Sequence, residues 1–277
     1  MTTQRQRTFY ERFVKRFLDI ILSLLALVIL SPVLLVIAIC SKIFIRGKII
    51  FAQSRPGRNG QVFKLYKFKS MTDKTDAEGN LLPDAERITG FGRLMRKLSL
   101  DELPQLWNIL RGDMSIVGPR PRLVSDTIFY PEAQFTALEA RPGLTSLANV
   151  SGGRSSASWE DIFASDQSYA EKITFLGDLK IIFKTVVAVF KSDAASDGAS
   201  GSKREYYYGD YLLKSGKITK EQYDLGHSRA KQIIVLHGRV GYCPDLQPAI
   251  PADETKDVTE DVTKEVTETE QEEQQHA

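Results

Sequence analysis

The longest apolar stretch is residues 20–40, IILSLLALVILSPVLLVIAIC, which holds no charge. A helix crossing a bilayer needs about 20 such residues. A cleaved signal peptide fits poorly, because Lys42, Ile43 and Phe44 follow rather than a small-residue cleavage site. Ser31-Pro32 interrupts the run near its middle. Proline removes a backbone donor, and inside lipid the freed carbonyl needs a substitute, for which Ser31 is placed. Both flanks are basic: Arg5, Arg7, Arg12, Lys15 and Arg16 before, Lys42, Arg46, Lys48, Arg55 and Arg58 after. The positive-inside rule puts both in the cytoplasm. A helix that dips in and returns satisfies this; a kinked transmembrane helix is the competing form. Asp19 opens the run, and pairing with Arg16 or Lys15 at headgroup depth is its expected role.

Beyond the run, residues 49–51 and 61–68 alternate as short strands do, with a turn at 55–60. Residues 73–83 read as a surface loop. Helices are predicted over 91–98, from Asp101 to Arg111 with Gly112 as C-cap, over 131–140, 158–171 and 174–191. Gly118-Pro119-Arg120-Pro121 and Arg141-Pro142-Gly143-Leu144-Thr145 read as rigid turns. The 174–191 helix is apolar with interspersed lysines, which suits a membrane interface or, equally, a core. The expected organisation is a basic segment and membrane helix (1–48), a catalytic domain (49–191), a linker (192–202), a helical appendage (203–248) and an acidic tail without a core (249–277). Thr219 and Gln222 form a capping-box pattern in the appendage.

Charge sharpens this picture. Residues 251–277 carry ten acids against two lysines, net −8; with +2 overall, the rest carries +10. A basic body suits an anionic partner such as phosphate, nucleotide or anionic lipid. Nucleic acid is disfavoured, since no stacking platform or base-reading helix stands out. Two cysteines, Cys40 and Cys243, and three late histidines suggest neither disulfide framework, zinc site nor Ser-His-Asp set.

Candidate chemistry lies in Ser99-Leu100-Asp101-Glu102-Leu103-Pro104. Ser99 and Glu102 match a capping box, the purely structural reading. Pro104 is harmless only in a first turn, which favours Asp101 as the cap, at a helix end suited to phosphate. A carboxylate can attack a phosphoryl group to give an acyl phosphate. The repulsion between two anions then needs compensation, for which Arg93, Arg96 and Arg120 are candidates, with magnesium on Glu102. Arg120, between two prolines, is a preorganised guanidinium.

These segments resemble the small monotopic phosphoglycosyl transferases of the bacterial sugar transferase family, closest to its short (PglC-like) forms. The resemblance rests on VKRFLDIILS (14–23), LSPVLL (30–35), FAQSRPGRNGQVFKLYKFKSM (51–71), RKLSLDELPQLWNILRGDMSIVGPRP (96–121), RPGLT (141–145), Asp166 with Tyr169, and FLGDLKIIFKT (175–185). It implies a compact α-rich α+β domain on the cytoplasmic face of the bacterial inner membrane, with interfacial amphipathic helices and a re-entrant helix broken at Ser31-Pro32. It further implies Asp101 as nucleophile and Glu102 as its partner at Mg2+, with Asp101 beside the metal. Lys67, Arg96 and Arg120 align with the family's phosphate-side cations, and Asp166 with an acid of the substrate site. The implied reaction is ping-pong: a UDP-sugar gives up UMP, and polyprenyl phosphate takes the phosphosugar, initiating glycoconjugate assembly. Membrane lipid, a second copy of the chain and downstream glycosyltransferases are the partners this implies. Two departures stand out: the turn Ser151-Gly152-Gly153-Arg154 is one residue longer than usual, and Ser146 replaces a common glycine. The rivals are a membrane glycosyltransferase, for which a DxD motif is missing, and a non-enzymatic membrane adaptor.

Overall fold

A computed structural model describes residues 6–45, 47–151, 158–191 and 207–247. A π-helical turn, Tyr10–Val14, leads into α1 (Lys15–Ile29), which bends by 63° into α2 (Ser31–Phe44). Pro32 has no N–H to offer the carbonyl of Val28, four residues back. The Ser31 hydroxyl donates to that carbonyl instead, at 2.8 Å, so the proline does not leave it an orphan acceptor. Leu22, Leu25, Val28, Leu35, Val36 and Ile39 are exposed on the pair. Among the described residues no single helix is long and apolar enough to cross a membrane, but this bent pair is. Its bend is consistent with a re-entrant element of the monotopic kind.

Strand β1 (Ile50–Pro56) pairs antiparallel with β2 (Val62–Phe68), Ile50 facing Phe68 and Pro56 facing Val62. β1 thus runs through Ser54, Arg55 and Pro56, beyond the expected 49–51. Pro56 is tolerated because it ends an edge strand. Short α3 (Asp84–Arg87) precedes α4 (Gly90–Lys97), whose Thr89 cap accepts from Gly92 N at 2.9 Å. A 3-10 turn, Leu100–Glu102, then enters α5 (Gln105–Arg111), closed by Gly112 at φ 92°.

β3 (Ser115–Val117) pairs in parallel with β4 (Gly143–Thr145), so half of the expected rigid turn at 141–145 is strand. Between them lie α6 (Val124–Thr127) and a 3-10 stretch, Glu132–Glu139, where an α-helix was expected. α7 (Leu147–Ser151), α8 (Trp159–Glu171) and α9 (Phe175–Lys191) follow. The lengthened turn at 152–154, the linker and the acidic tail lie outside the described residues. α10 (Tyr208–Lys214) and α11 (Lys220–Val235) complete a helix-rich α+β fold, and the Thr219–Gln222 capping box forms.

Two contacts decide the architecture. The first fastens the membrane element to the body. Lys15 pairs with Asp178 of α9 at 2.5 Å, and Tyr10 and Tyr169 donate to the same carboxylate at 2.7 and 2.8 Å. Asp19 departs from the expected pairing with Arg16 or Lys15. Its carboxylate accepts from Ser115 Oγ and Ile116 N, both at 3.0 Å, and is buried. Arg16 instead donates to the carbonyls of Ile109 and Leu110, at 2.6 and 2.8 Å. It thereby satisfies acceptors at the C-terminal end of α5. α9 turns Asp178 and Ile181 inward and leaves Phe175, Leu176, Leu179 and Phe183 exposed, the face an interfacial helix needs.

The second contact seats residues 207–247. Phe129, fully buried, lies against Gly209 and Gly226. Asp126 accepts from Tyr208 N at 3.0 Å, and Val62 N and Val240 N exchange bonds with Gly238 and Gly60 carbonyls at 3.1 and 2.9 Å. Tyr208, Leu212, Ala230 and Leu246 share one apolar cluster with Val62, Ile128 and Trp159.

Two outcomes follow. Lys15→Met leaves the Asp178 carboxylate buried without its cation, and we expect thermal unfolding in detergent to show a loss of about 3–5 kcal/mol. A Cβ at Gly226 would sit 2.3 Å from Phe129 Cζ, so Gly226→Ala should destabilise by about 2 kcal/mol despite alanine's better helix propensity. Gly90→Ala, with open space around it, serves as the neutral control.

Candidate active site

The dyad segment hangs between α4 and α5. Ser99 takes the left-handed conformation, φ 55° and ψ 22°, and makes no capping bond. The backbone therefore turns sharply at Ser99 and winds as a 3-10 turn through Asp101 and Glu102. The expected α-helix from Asp101 is corrected accordingly: α5 starts at Gln105 behind Pro104, and neither Ser99 nor Asp101 caps it. Pro104 explains this, since its missing N–H is harmless at that boundary. A non-glycine residue with positive φ is a costly conformation, typical of functional segments.

Around this turn three elements deliver cations. β2 brings Lys67, whose Nζ lies 3.2 Å from Glu102 Oε1. The Gly118–Pro121 loop brings Arg120, whose Nη2 lies 3.6 Å from the same oxygen. That loop is pinned on both sides: Gly143 N donates to Pro119 O at 2.9 Å, and Arg55 to Pro121 O at 3.3 Å. α4 brings Arg96, held by Ser70 Oγ at 2.8 Å and Met71 Sδ at 3.1 Å. Arg93, one turn earlier, is exposed and is not among the charges acting on Asp101. Ser31 and Pro32 belong to the membrane element.

Asp101 is 8% exposed. Burial raises its carboxyl above the usual range; Lys67 and Arg96 pull it back, and the neighbouring Glu102 pushes it up. Asp166, on α8, lies behind Arg120 and is 4% exposed. Burial lifts it to about 7 against the pull of Arg122 and Arg120. Its Oδ1 and the Gln134 Oε1 lack partners where both line a cleft with Arg120 and Arg122. The residues proposed from sequence thus meet in one region, with Arg93 at its margin. Arg122, which stacks 5.1 Å over Trp159, was missed. Its place next to Pro121 in the same basic loop was the available signal.

Among the described residues no three His, Cys, Asp or Glu side chains converge as a metal cage. A hard divalent cation needs less, since one or two carboxylates plus substrate phosphates suffice. Asp101 and Glu102, adjacent and charge-compensated, fit that donor set.

A carboxylate pair, Asp101 buried and Glu102 half-buried, thus lies beside lysine and arginine on a domain that carries a bent apolar helix pair. The family model described as bacterial sugar transferase matches residues 10–192, and the chain belongs to that family. It is 44% identical over 179 residues to the uncharacterized sugar transferase EpsL of Bacillus subtilis, covering 65% of this chain and 88% of that protein. It is 39% identical over 192 residues to the exopolysaccharide production protein ExoY of Rhizobium meliloti (63% and 84%). It is 36% identical over 195 residues to a UDP-glucose:undecaprenyl-phosphate glucose-1-phosphate transferase of Caulobacter vibrioides (65% and 71%). Membership makes this chain a transferase-type enzyme, and supports sugar-1-phosphate transfer onto polyprenyl phosphate as its general activity.

Because folding raises the Asp101 pKa, its ionisation disfavours the folded state. Such a group stabilises below its unfolded pKa and loses that advantage as pH rises through the folded pKa. At neutral pH Asp101→Asn should therefore raise the melting temperature. The difference should shrink on acidification, read by parallel thermal melts at several pH values.

Proposed function

We propose that this protein transfers a sugar-1-phosphate from a UDP-sugar to polyprenyl phosphate, releasing UMP, through a covalent aspartyl-phosphosugar. The convergence of Lys67 and Arg120 on Glu102, beside a buried Asp101, carries this reading. An Asp101 oxygen attacks the sugar-bearing phosphorus. The bond from that phosphorus to the bridging oxygen breaks, and UMP leaves with that oxygen and its electron pair. A polyprenyl phosphate oxygen then attacks the same phosphorus, and the acyl phosphate bond breaks to restore the Asp101 carboxylate. Arg96, Arg120 and Lys67 supply positive charge to the diphosphate; Asp166 orients the Arg120 loop, whose backbone N–H faces it. Bound to Glu102 and Asp101, Mg2+ would neutralise the charge on the transferring phosphate.

The re-entrant pair seats the dyad at the cytoplasmic face of the bacterial inner membrane, within reach of a lipid-borne acceptor and a soluble donor. This is the reaction that begins assembly of a capsule, O-antigen, exopolysaccharide or glycoprotein glycan. The name of the Caulobacter relative supports the donor and acceptor classes.

The test is UMP release from the detergent-purified protein with undecaprenyl phosphate, Mg2+ and a panel of UDP-sugars. We expect UMP from one or a few donors, reduced at least about 10³-fold in Asp101→Asn. UDP in place of UMP would make the protein a glycosyltransferase. Silence across the panel from folded protein would favour a non-enzymatic membrane adaptor. Equal UMP from both proteins would remove Asp101 as nucleophile.

A further inference from the structure

Asn108 is fully buried in α5, a helix whose other buried positions include Leu106 and Ile109. Its carboxamide makes three hydrogen bonds to a specific set of partners. Nδ2 donates to Lys64 O at 2.7 Å and to Asp113 Oδ2 at 3.2 Å, and Oδ1 accepts from Tyr66 N at 3.1 Å. Lys64 and Tyr66 both lie on β2, whose other edge is taken by β1. The amide therefore does for β2 what a third strand would do: it fills the acceptor and donor of the open edge at one register. Its own carbonyl accepts from Gly112 N, Asp113 N and Met114 N, at 3.1, 3.0 and 3.3 Å, which closes the end of α5.

Two segments that carry site residues are hydrogen-bonded to one another by this side chain. Lys67 follows Tyr66 directly on β2. Glu102 precedes Asn108 by six residues, joined through the 3-10 turn and Pro104 to α5. The Lys67–Glu102 contact at 3.2 Å depends on the offset between β2 and α5. Apolar packing of Leu65 on Leu106 and Ile109 holds the two together but is non-directional and does not set that offset. A slip of one residue along the strand would carry Lys67 about 3.3 Å away and turn it to the opposite face. Displacements of about 1 Å already matter at a phosphoryl-transfer site.

We propose that Asn108 is a positioning residue for the dyad, setting β2 against the Asp101–Glu102 turn and so placing Lys67. The proposal rests on the reading of Asp101, Glu102 and Lys67 as phosphoryl-transfer residues. Asn108 touches no reacting atom; it acts through Lys67.

The experiment is a double-mutant cycle on the full chain in detergent. UMP formation is measured for wild type, Asn108→Ala, Lys67→Met and the double variant, with Asn108→Ser in parallel and thermal melts on all. Asn108→Ala should lower kcat about 30-fold while the donor KM changes less than about threefold. In the Lys67→Met background the same substitution should slow the reaction less than about threefold further, because the residue it acts through is already gone. Asn108→Ser, which keeps a hydroxyl at the strand edge, should recover part of the loss. Full multiplication of the two single effects would overturn the proposal, since lowered stability acts equally in either background. Unchanged kcat in folded Asn108→Ala would also overturn it, and unfolding of both Asn108 variants would reduce Asn108 to a stability role. Failure of the underlying reading appears separately, as a wild type that releases no UMP, and takes the proposal with it.

Discussion

The Asp178 carboxylate is the point on which the architecture turns. It is buried on α9 and receives Lys15 from the membrane helix, Tyr10 from the turn before it and Tyr169 from α8. A carboxylate out of water is stable only when its lone pairs and charge are both answered, and here three chain segments do so together. The Tyr169 hydroxyl also donates to Val117 O at 3.0 Å, tying the cluster to β3. One turn further along α1, Asp19 binds Ser115 and Ile116 of the same strand. The re-entrant helix is therefore joined to the catalytic body by directed polar bonds. Apolar packing alone would leave its angle free, and lipid supplies little preference among angles. With that angle set, the placement of the helix pair against the body of the domain is set as well.

From β3 the constraint passes directly to the site. The strand ends at Val117, and Gly118 continues its pairing by donating to Thr145 O at 3.0 Å. A Cβ at Gly118 would fall 2.1 Å from Arg141 O, so only glycine lets the Arg120 loop lie so close to the 141–143 segment. Arg120 is thus held by a sheet that is itself fastened to the membrane helix. Lys67 comes from the other sheet, and Asp101 and Glu102 from the turn between α4 and α5. Each element is short, but each is pinned by buried bonds to its neighbour. Such support is what a preorganised site requires of its scaffold.

Part of this was legible in the sequence. Pro32 announced a missing donor four residues after Val28, and Ser31 answers it. The β2 strand, Gly112 as helix stop, the capping box at Thr219 and the clustering of Lys67, Arg120 and Glu102 could all be read from local pattern or resemblance. What escaped depends on partners far along the chain. Lys15 and Asp178 are 163 positions apart, and nothing local says which acid a basic residue will meet. An acid inside an apolar helix, and a buried asparagine between Trp107 and Ile109, were the available signals. The start of α5 was misplaced because Pro104 was read as lying inside a first turn capped by Asp101, whereas Pro104 itself is the residue just before the helix. Residues 207–247 matched no segment of the family resemblance, yet they fill the surface left by Phe129 and Val62.

The division of labour within the carboxylate pair follows from these placements. Lys67 and Arg120 engage Glu102, so the nearest cations spend their directed bonds on the partner of the proposed nucleophile. Asp101 feels Lys67 and Arg96 through space while burial makes its charge less comfortable. A carboxylate locked in a short ion pair would be stabilised in the ground state and would have to break that pair to attack. A carboxylate held beside the cations, poorly solvated, loses less on forming a bond to phosphorus. The same cations then lie where an incoming diphosphate needs them. In the proposed mechanism, two adjacent acids in one turn take different chemical roles because of which one the strand lysine and the loop arginine reach.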